Sequence, residues 1–284
     1  MKEDYQGNQA KSPTFAIRPT KSWRFLDLRE LWQYRELAYF LTWRDIKVRY
    51  KQTVLGVAWA ILQPLAMMVV FTLFFGRLAK IPSEGIPYPV FTYTALLAWQ
   101  IFSRSITESS TSLVTNQRLI TRVYFPRMLV PISVILAAMV DFTISSALLI
   151  VLMLSYGLLP TVNVVWFPFF TVLMMLTALG IGFWLSALNI EYRDVQYTIP
   201  FINQILLFLT PVVYPSSLVP ERFQFIYSLN PMVGVIEGFR WTLLGIGSGP
   251  SPMLIISVLM ALILFVSGIC FFRWRERTFI DIIG

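Results

Sequence analysis

Residues 128–155 read MLVPISVILAAMVDFTISSALLIVLMLS, twenty-eight positions with one charged side chain, Asp141. A helix needs about 20 predominantly apolar residues to cross the hydrocarbon core of a bilayer. This stretch is long enough and apolar enough to be such a span. Asp141 has no partner nearby in sequence. A charge inside a span is costly and is a functional candidate by default. Asp141 is therefore expected to face other helices or a water-filled path.

The same test, applied outward in both directions, gives five more spans: Val54–Phe75, Val90–Ser112, Val164–Leu188, Ile199–Tyr214 and Met253–Phe272. The fifth of the six in chain order, Ile199–Tyr214, is short, and the second holds Arg104 and Glu108. Those two stand four apart on one helical face, where they can pair. They are candidates for lining a pathway or for clamping helices together. The composition agrees with a lipid-embedded chain. Of 284 residues, 56% are hydrophobic and 13% charged, against about 25% charged in an ordinary soluble domain. Mean hydropathy is +0.66. The expected fold is an all-α polytopic membrane protein.

The chain has no His and one Cys, Cys270. That argues against His-based acid–base catalysis, His/Cys zinc sites and an intrachain disulfide. No glycine is followed directly by Lys, so no phosphate-binding loop of the G-x-x-x-x-G-K type is present. Neither an enzyme active site, a metal site nor a nucleic-acid partner is expected. No internal repeat appears, and six spans are few for a complete pore. A second copy, arranged as a two-fold dimer, is the expected remedy.

Residues 1–22 are polar and read as a disordered tail. Residues 23–51 read as an amphipathic interfacial helix. Asp27 and Glu30 form a capping-box signature. Leu28, Leu31, Trp32, Leu37, Phe40 and Leu41 are expected on one face, and Arg29, Arg35, Arg44, Lys47, Arg49 and Lys51 on the wet side. Residues 52–272 form the transmembrane domain, and 273–284 a second tail. Lys and Arg number 18 in the segments on one side of the spans and four on the other (Arg77, Lys80, Arg222 and Arg240). The positive-inside rule puts both termini in the cytoplasm.

Between the fifth and sixth spans, residues 216–245 hold two short apolar pieces broken by prolines. Asn230 followed by Pro231 marks a helix start. The second piece carries Glu237 and Arg240, and a crossing there would carry the Arg-rich tail to the wrong side. Two re-entrant helices are expected, dipping into the outer leaflet and returning.

Four stretches are not generic membrane sequence: RDIKVRYKQTVLGVAWAILQP at 44–64, NQRLITRVYFPRMLVP at 116–131, LNIEYRDV at 188–195 and TPVVYPSSLVPERFQFIYSLNP at 210–231. Together they resemble the membrane permease subunits of ABC-type exporters of polysaccharides (O-antigen, capsule or teichoic acid). The resemblance runs from about residue 30 to 275. It implies a multi-pass permease of the bacterial inner membrane, a homodimer that pairs with two cytoplasmic ATPase subunits. ATP and Mg would be bound by the ATPase, with no cofactor in this chain. The implied cargo is a polyprenyl-linked polysaccharide. Residues 113–127 become a coupling element and 215–245 an outer gate carrying Asn230, Pro231, Glu237 and Arg240.

On that resemblance, Asn116, Gln117, Arg118, Arg122, Tyr124 and Arg127 are expected to contact the ATPase. The compact turn Glu191, Arg193 and Asp194 either joins them or orders itself locally. Arg guanidinium forks suit carboxylates on a partner surface. Arg35, Arg44, Lys47 and Arg49 are expected to draw the acidic carrier headgroup. Trp59, Tyr88, Tyr93, Trp99 and Phe102, with Arg104, Glu108 and Asp141, are candidates for the pathway, since aromatic faces let a polar ligand slide. An exporter of drugs or small lipids, a membrane-embedded glycan or lipid transferase, and a self-sufficient carrier are the rival readings.

Overall fold

The computed structural model describes residues 28–51, 58–247, 249 and 252–279. The tail 1–22, the Asp27 cap and residues 280–284 lie outside the described residues. Among those described, the chain is helical and contains no strand. In order, α1 (Leu28–Gln33) and α2 (Arg35–Lys51) lead to α3 (Ala58–Phe71), whose last turns, Thr72–Leu78, widen to π geometry. Then come α4 (Tyr88–Thr115), the short α5 (Gln117–Arg122) and α6 (Leu129–Ser155). A 3-10 turn at Val162–Trp166 opens α7 (Phe167–Glu191), which is followed by α8 (Val195–Leu209), α9 (Glu221–Ser228), α10 (Pro231–Leu244) and α11 (Pro252–Glu276).

Among the described residues, four helices are long and apolar enough to cross a membrane: Ala58–Leu78, Leu129–Ser155, Val162–Glu191 and Pro252–Glu276. Two of the six expected spans do not meet that standard. The first is α4, which is long enough at 28 residues but rich in Ser and Thr, and it carries Arg104 and Glu108. Its polarity is affordable because it is the central helix, packed on α3, α6, α7, α8 and α10. Several of its hydroxyls bond back within the helix, Thr94 donating to Val90 O (2.8 Å), Thr107 to Ser103 O (2.8 Å) and Ser112 to Ser109 O (2.6 Å), whereas those of Ser105 and Ser109 are buried without a partner.

The other is α8, expected over 199–214 but ending at Leu209. At 15 residues it is about 22 Å long, short of the roughly 30 Å hydrocarbon core. Pro211 explains the stop, because the residue before a proline is pushed out of helical geometry. Thr210 is accordingly extended, at φ −115° and ψ 146°.

Over the described residues 28–51 the expected amphipathic helix is interrupted once. α1 and α2 meet at a turn on Tyr34, and their apolar residues face two ways. Leu41 is buried and Leu37 half-buried, whereas Trp32 and Phe40 are exposed. The five-residue step from Trp32 to Leu37 turns about 140° around the axis, which breaks the single stripe. The inward side packs on α6 and on Ile120, Phe125 and Met128.

Close helix approach is built on glycine. A Cβ on Gly268 of α11 would lie 2.2 Å from the Gly180 carbonyl oxygen of α7, and one on Gly180 would lie 2.6 Å from Leu264 backbone. Gly234 and Gly238, four apart on α10, serve intrachain packing too, against Ser257 and the Phe170 ring. The expected tail from 273 is not loose at its start. α11 runs on to Glu276, and Phe279 packs back on Phe272, ring centroids 5.4 Å apart.

Candidate functional site

α2, α4 and α6 converge on a closed ring of four charges. The Arg49 guanidinium donates one nitrogen to Asp141 Oδ2 at 2.5 Å and another to Glu108 Oε2. Arg104 donates Nε to Glu108 Oε1 at 2.7 Å and Nη1 to Asp141 Oδ2 at 3.1 Å. Each arginine thus touches both carboxylates, and each carboxylate both arginines. The Tyr50 hydroxyl donates to the remaining Asp141 oxygen. Burial, and then that hydrogen bond, push the Tyr50 hydroxyl above the usual phenol range, which keeps it a donor. Two positive and two negative groups leave the ring neutral, which is what a low-dielectric interior demands.

The ring is deep. Arg104 stands eleven residues before the end of α4 and Asp141 twelve after the start of α6, about 17 Å along each helix. The Asp141 side chain is 3% exposed, while Glu108 and Arg104 remain 34% and 37% exposed. So one side of the ring is closed by protein and the other is open. Below it, Arg44 pairs with Asp45 at 2.7 Å, and Ser133 of α6 donates to the other Asp45 oxygen at 3.2 Å. Of the four cations expected to serve a carrier headgroup, Lys47 is exposed, Arg35 lies over the Trp32 ring at 5.6 Å, and Arg44 and Arg49 are drawn into these pairs.

At the end of the bundle rich in arginine, α4 turns into α5 through Asn116. Its side chain donates to Ser112 O (2.8 Å), and its carbonyl accepts from Leu119 and Ile120 backbone. Ile120, Phe125 and Pro126 anchor the corner inside. Gln117 is half-buried. Arg118, Arg122 and Tyr124 point outward, Tyr124 at 83% exposure, and Val123 joins them. Arg127, grouped with them by sequence, is occupied elsewhere: it grips the end of α11 through the Glu276 carbonyl at 2.5 Å and lies 6.0 Å from the Phe279 ring. Glu191 likewise pairs with Arg275 at 3.0 Å, while Arg193 and Asp194 are exposed.

Of the aromatic pathway candidates, Trp59 is exposed and the other four lie inside the core. Tyr88 donates to Val213 O (2.6 Å) and Tyr93 to Ser145 O (3.3 Å); Trp99 packs on Phe102.

The opposite end holds the segment 210–231. Asn230 caps α10, its side chain accepting from Met232 N at 3.1 Å, with Pro231 in the first turn. Arg240 is buried over the Phe91 ring, 3.6 Å from its centroid, with Glu237 at 3.9 Å. It donates to Val212 O (3.1 Å) and Tyr214 O (3.3 Å). Together with Tyr88 it satisfies three successive carbonyls of a non-helical stretch, which in lipid would otherwise go unpaired.

Sequence reasoning singled out Arg49 and Asp141 separately and Arg104 with Glu108 as a pair, and the fold brings all four together. It passed over Tyr50, Asp45 and Glu276. Tyr50 was findable, since it adjoins Arg49 in the 44–64 motif; Glu276 gave no signal.

Compared with known proteins, residues 36–244 match the family model described as ABC-2 type transporter. The O-antigen export system permease protein RfbA of Myxococcus xanthus is 33% identical over 216 residues, 75% of this chain and 82% of that protein. RfbA of Klebsiella pneumoniae is 28% identical over 249 residues, 87% of this chain and 95% of that protein. The polysialic acid transport protein KpsM of Escherichia coli is 26% identical over 239 residues, covering 82% and 91%.

Proposed function

This chain belongs to the ABC-2 type transporter family, and we propose that it is the permease subunit of an exporter of lipid-linked polysaccharide. In this reading the chain has six spans, with α4 and α8 added to the four long apolar helices, and α9 and α10 as re-entrant gate helices. Two copies pair in a bacterial inner membrane, both termini cytoplasmic, and each docks one ATPase subunit. The names of the relatives, which speak of O-antigen export and polysialic acid transport, support the cargo class.

The observation that carries the permease reading is the open side of the charge ring. Arg104 and Glu108 are about a third exposed, eleven and seven residues before the end of the central helix. Charges at that depth do not face lipid; they face a water-filled path or another subunit. A path bounded by α4 of two copies satisfies this.

ATP would act through α5. Arg118, Arg122 and Tyr124 offer directional contacts to the ATPase, with Arg193 and Asp194 of the neighbouring turn as further contacts, and Asn116 fixes α5 to α4. A push on α5 is then felt along α4 at the ring. Arg127 and Glu191 serve from behind, bracing α11 and so the platform on which α5 rests. Asn230, Pro231, Glu237 and Arg240 hold the outer gate in shape, and Lys47 and Arg35 remain available to an acidic headgroup.

The test is reconstitution with the ATPase subunit in liposomes. ATP turnover stimulated by a polyprenyl diphosphate-linked glycan, and not by hydrophobic drugs or short-chain lipids, is the expected result. Stimulation by the drugs or lipids alone would favour the rival exporter of the same architecture.

A further inference from the structure

The connectivity of the ring has a particular form. One pair, Arg104–Glu108, lies entirely on α4 at i, i+4 spacing (2.7 Å). The other, Arg49–Asp141 (2.5 Å), joins α2 to α6. The contacts Arg49–Glu108 and Arg104–Asp141 run between these two pairs. We propose that the ring is an electrostatic seam between α4 and the α2–α6 pair, built to part without leaving an unpaired charge on either side.

The physical reason is the cost of an isolated ion. Removing one partner from a buried pair leaves an uncompensated charge, the most expensive state such a group can occupy. Here the two cross-contacts can break together while each side keeps its own neutral pair. Tyr50 also stays with Asp141, on the same side. Attraction across the seam therefore holds α4 in place, yet among the four charges only the cross-contacts are lost when it parts. A packed interface with two discrete arrangements of this kind is what carries a shift from one site to another. α4 supplies the lever, because it is a single helix from Tyr88 to Thr115 that ends in the α5 corner. The other polar contacts of α4 are uncharged: Asn203 of α8 donates to Ser103 O (3.2 Å) and Thr107 Oγ1 (2.9 Å), Asn189 of α7 to Ser110 O (3.1 Å), and Tyr93 to Ser145 O of α6 (3.3 Å), so the ring carries the charged contacts between α4 and the α2–α6 pair.

Charge swaps test this. In a Cys270→Ser background, spin labels on cysteines at Lys47 of α2 and Thr115 of α4 report the width of the seam by double electron–electron resonance. The full chain is reconstituted in liposomes with an excess of unlabelled chain, so that intrachain pairs are read. Arg104→Glu with Glu108→Arg keeps α4 neutral and keeps its i, i+4 pair, with the acid now on the favoured N-terminal side. It places like charges at both cross-contacts. The expected result is normal insertion with a shift to longer distances. Adding Arg49→Asp and Asp141→Arg restores opposite charges across the seam and should return the distribution to that of the unswapped protein. An unchanged distance in the first swap, no return in the fourfold swap, or failure of the first swap to insert would each overturn the proposal.

Discussion

Arg49 and Asp141 are 92 positions apart in the chain and meet at 2.5 Å, joining the end of α2 to the middle of α6. That single contact explains why a segment dense in Lys and Arg ends packed against a membrane helix. The last turn of α2 is drawn in to Asp141, where Arg49 joins Arg104 on the same carboxylate.

Replacing Asp141 alone by Asn should be severe. Two arginines would then share one carboxylate, and breaking a buried pair costs about 3–5 kcal/mol. Thermal unfolding in detergent should show this loss, and Arg49→Gln combined with Asp141→Asn should be less destabilised than the two single changes summed. Simple additivity would mean that the residues do not act as a unit.

Arg240→Met should loosen the 210–215 segment. The methionine fills similar space but leaves the Val212 and Tyr214 carbonyls unpaired, at about 1–3 kcal/mol for each buried acceptor. Hydrogen exchange should rise at 210–215 with α6 and α7 unchanged. Arg240→Lys should fail to rescue, because one ammonium does not reproduce the planar fork over Phe91.

Gly268→Ala should push α11 away from α7. The added carbon meets backbone, which cannot rotate aside. Overpacking of this kind costs about 1–3 kcal/mol. The expected outcome is a lower unfolding temperature, whereas a neutral result would contradict the backbone contact between α7 and α11.

Much of this was legible in the sequence. The apolar runs at 128–155 and 253–272 became α6 and α11, and Asn230-Pro231 became the start of α10, because length, period and capping are local properties. Arg104 and Glu108 were legible as a pair for the same reason. What was not legible depended on distant partners. Nothing around Asp141 announces Arg49, and nothing around Arg127 announces Glu276, since both contacts arise from helix packing. The single apolar stripe on 28–41 and the length of α8 were misjudged for local reasons: a five-residue step at Trp32 and a proline at 211, each able to override an otherwise apolar count. The aromatic residues of α4 read as candidates for a wall because composition cannot tell which face of a helix is packed inside.

The account stands most directly on whether this chain captures an ATPase through the α4–α5 corner. The measurement is co-purification, after detergent extraction, with candidate ABC ATPase subunits, comparing the unaltered chain with Arg118→Glu/Arg122→Glu. These two side chains are exposed, so the variant should insert normally. The account predicts a stoichiometric complex that the double reversal abolishes. A chain that inserts and folds yet captures no ATPase, or one whose capture is indifferent to the reversal, would contradict it.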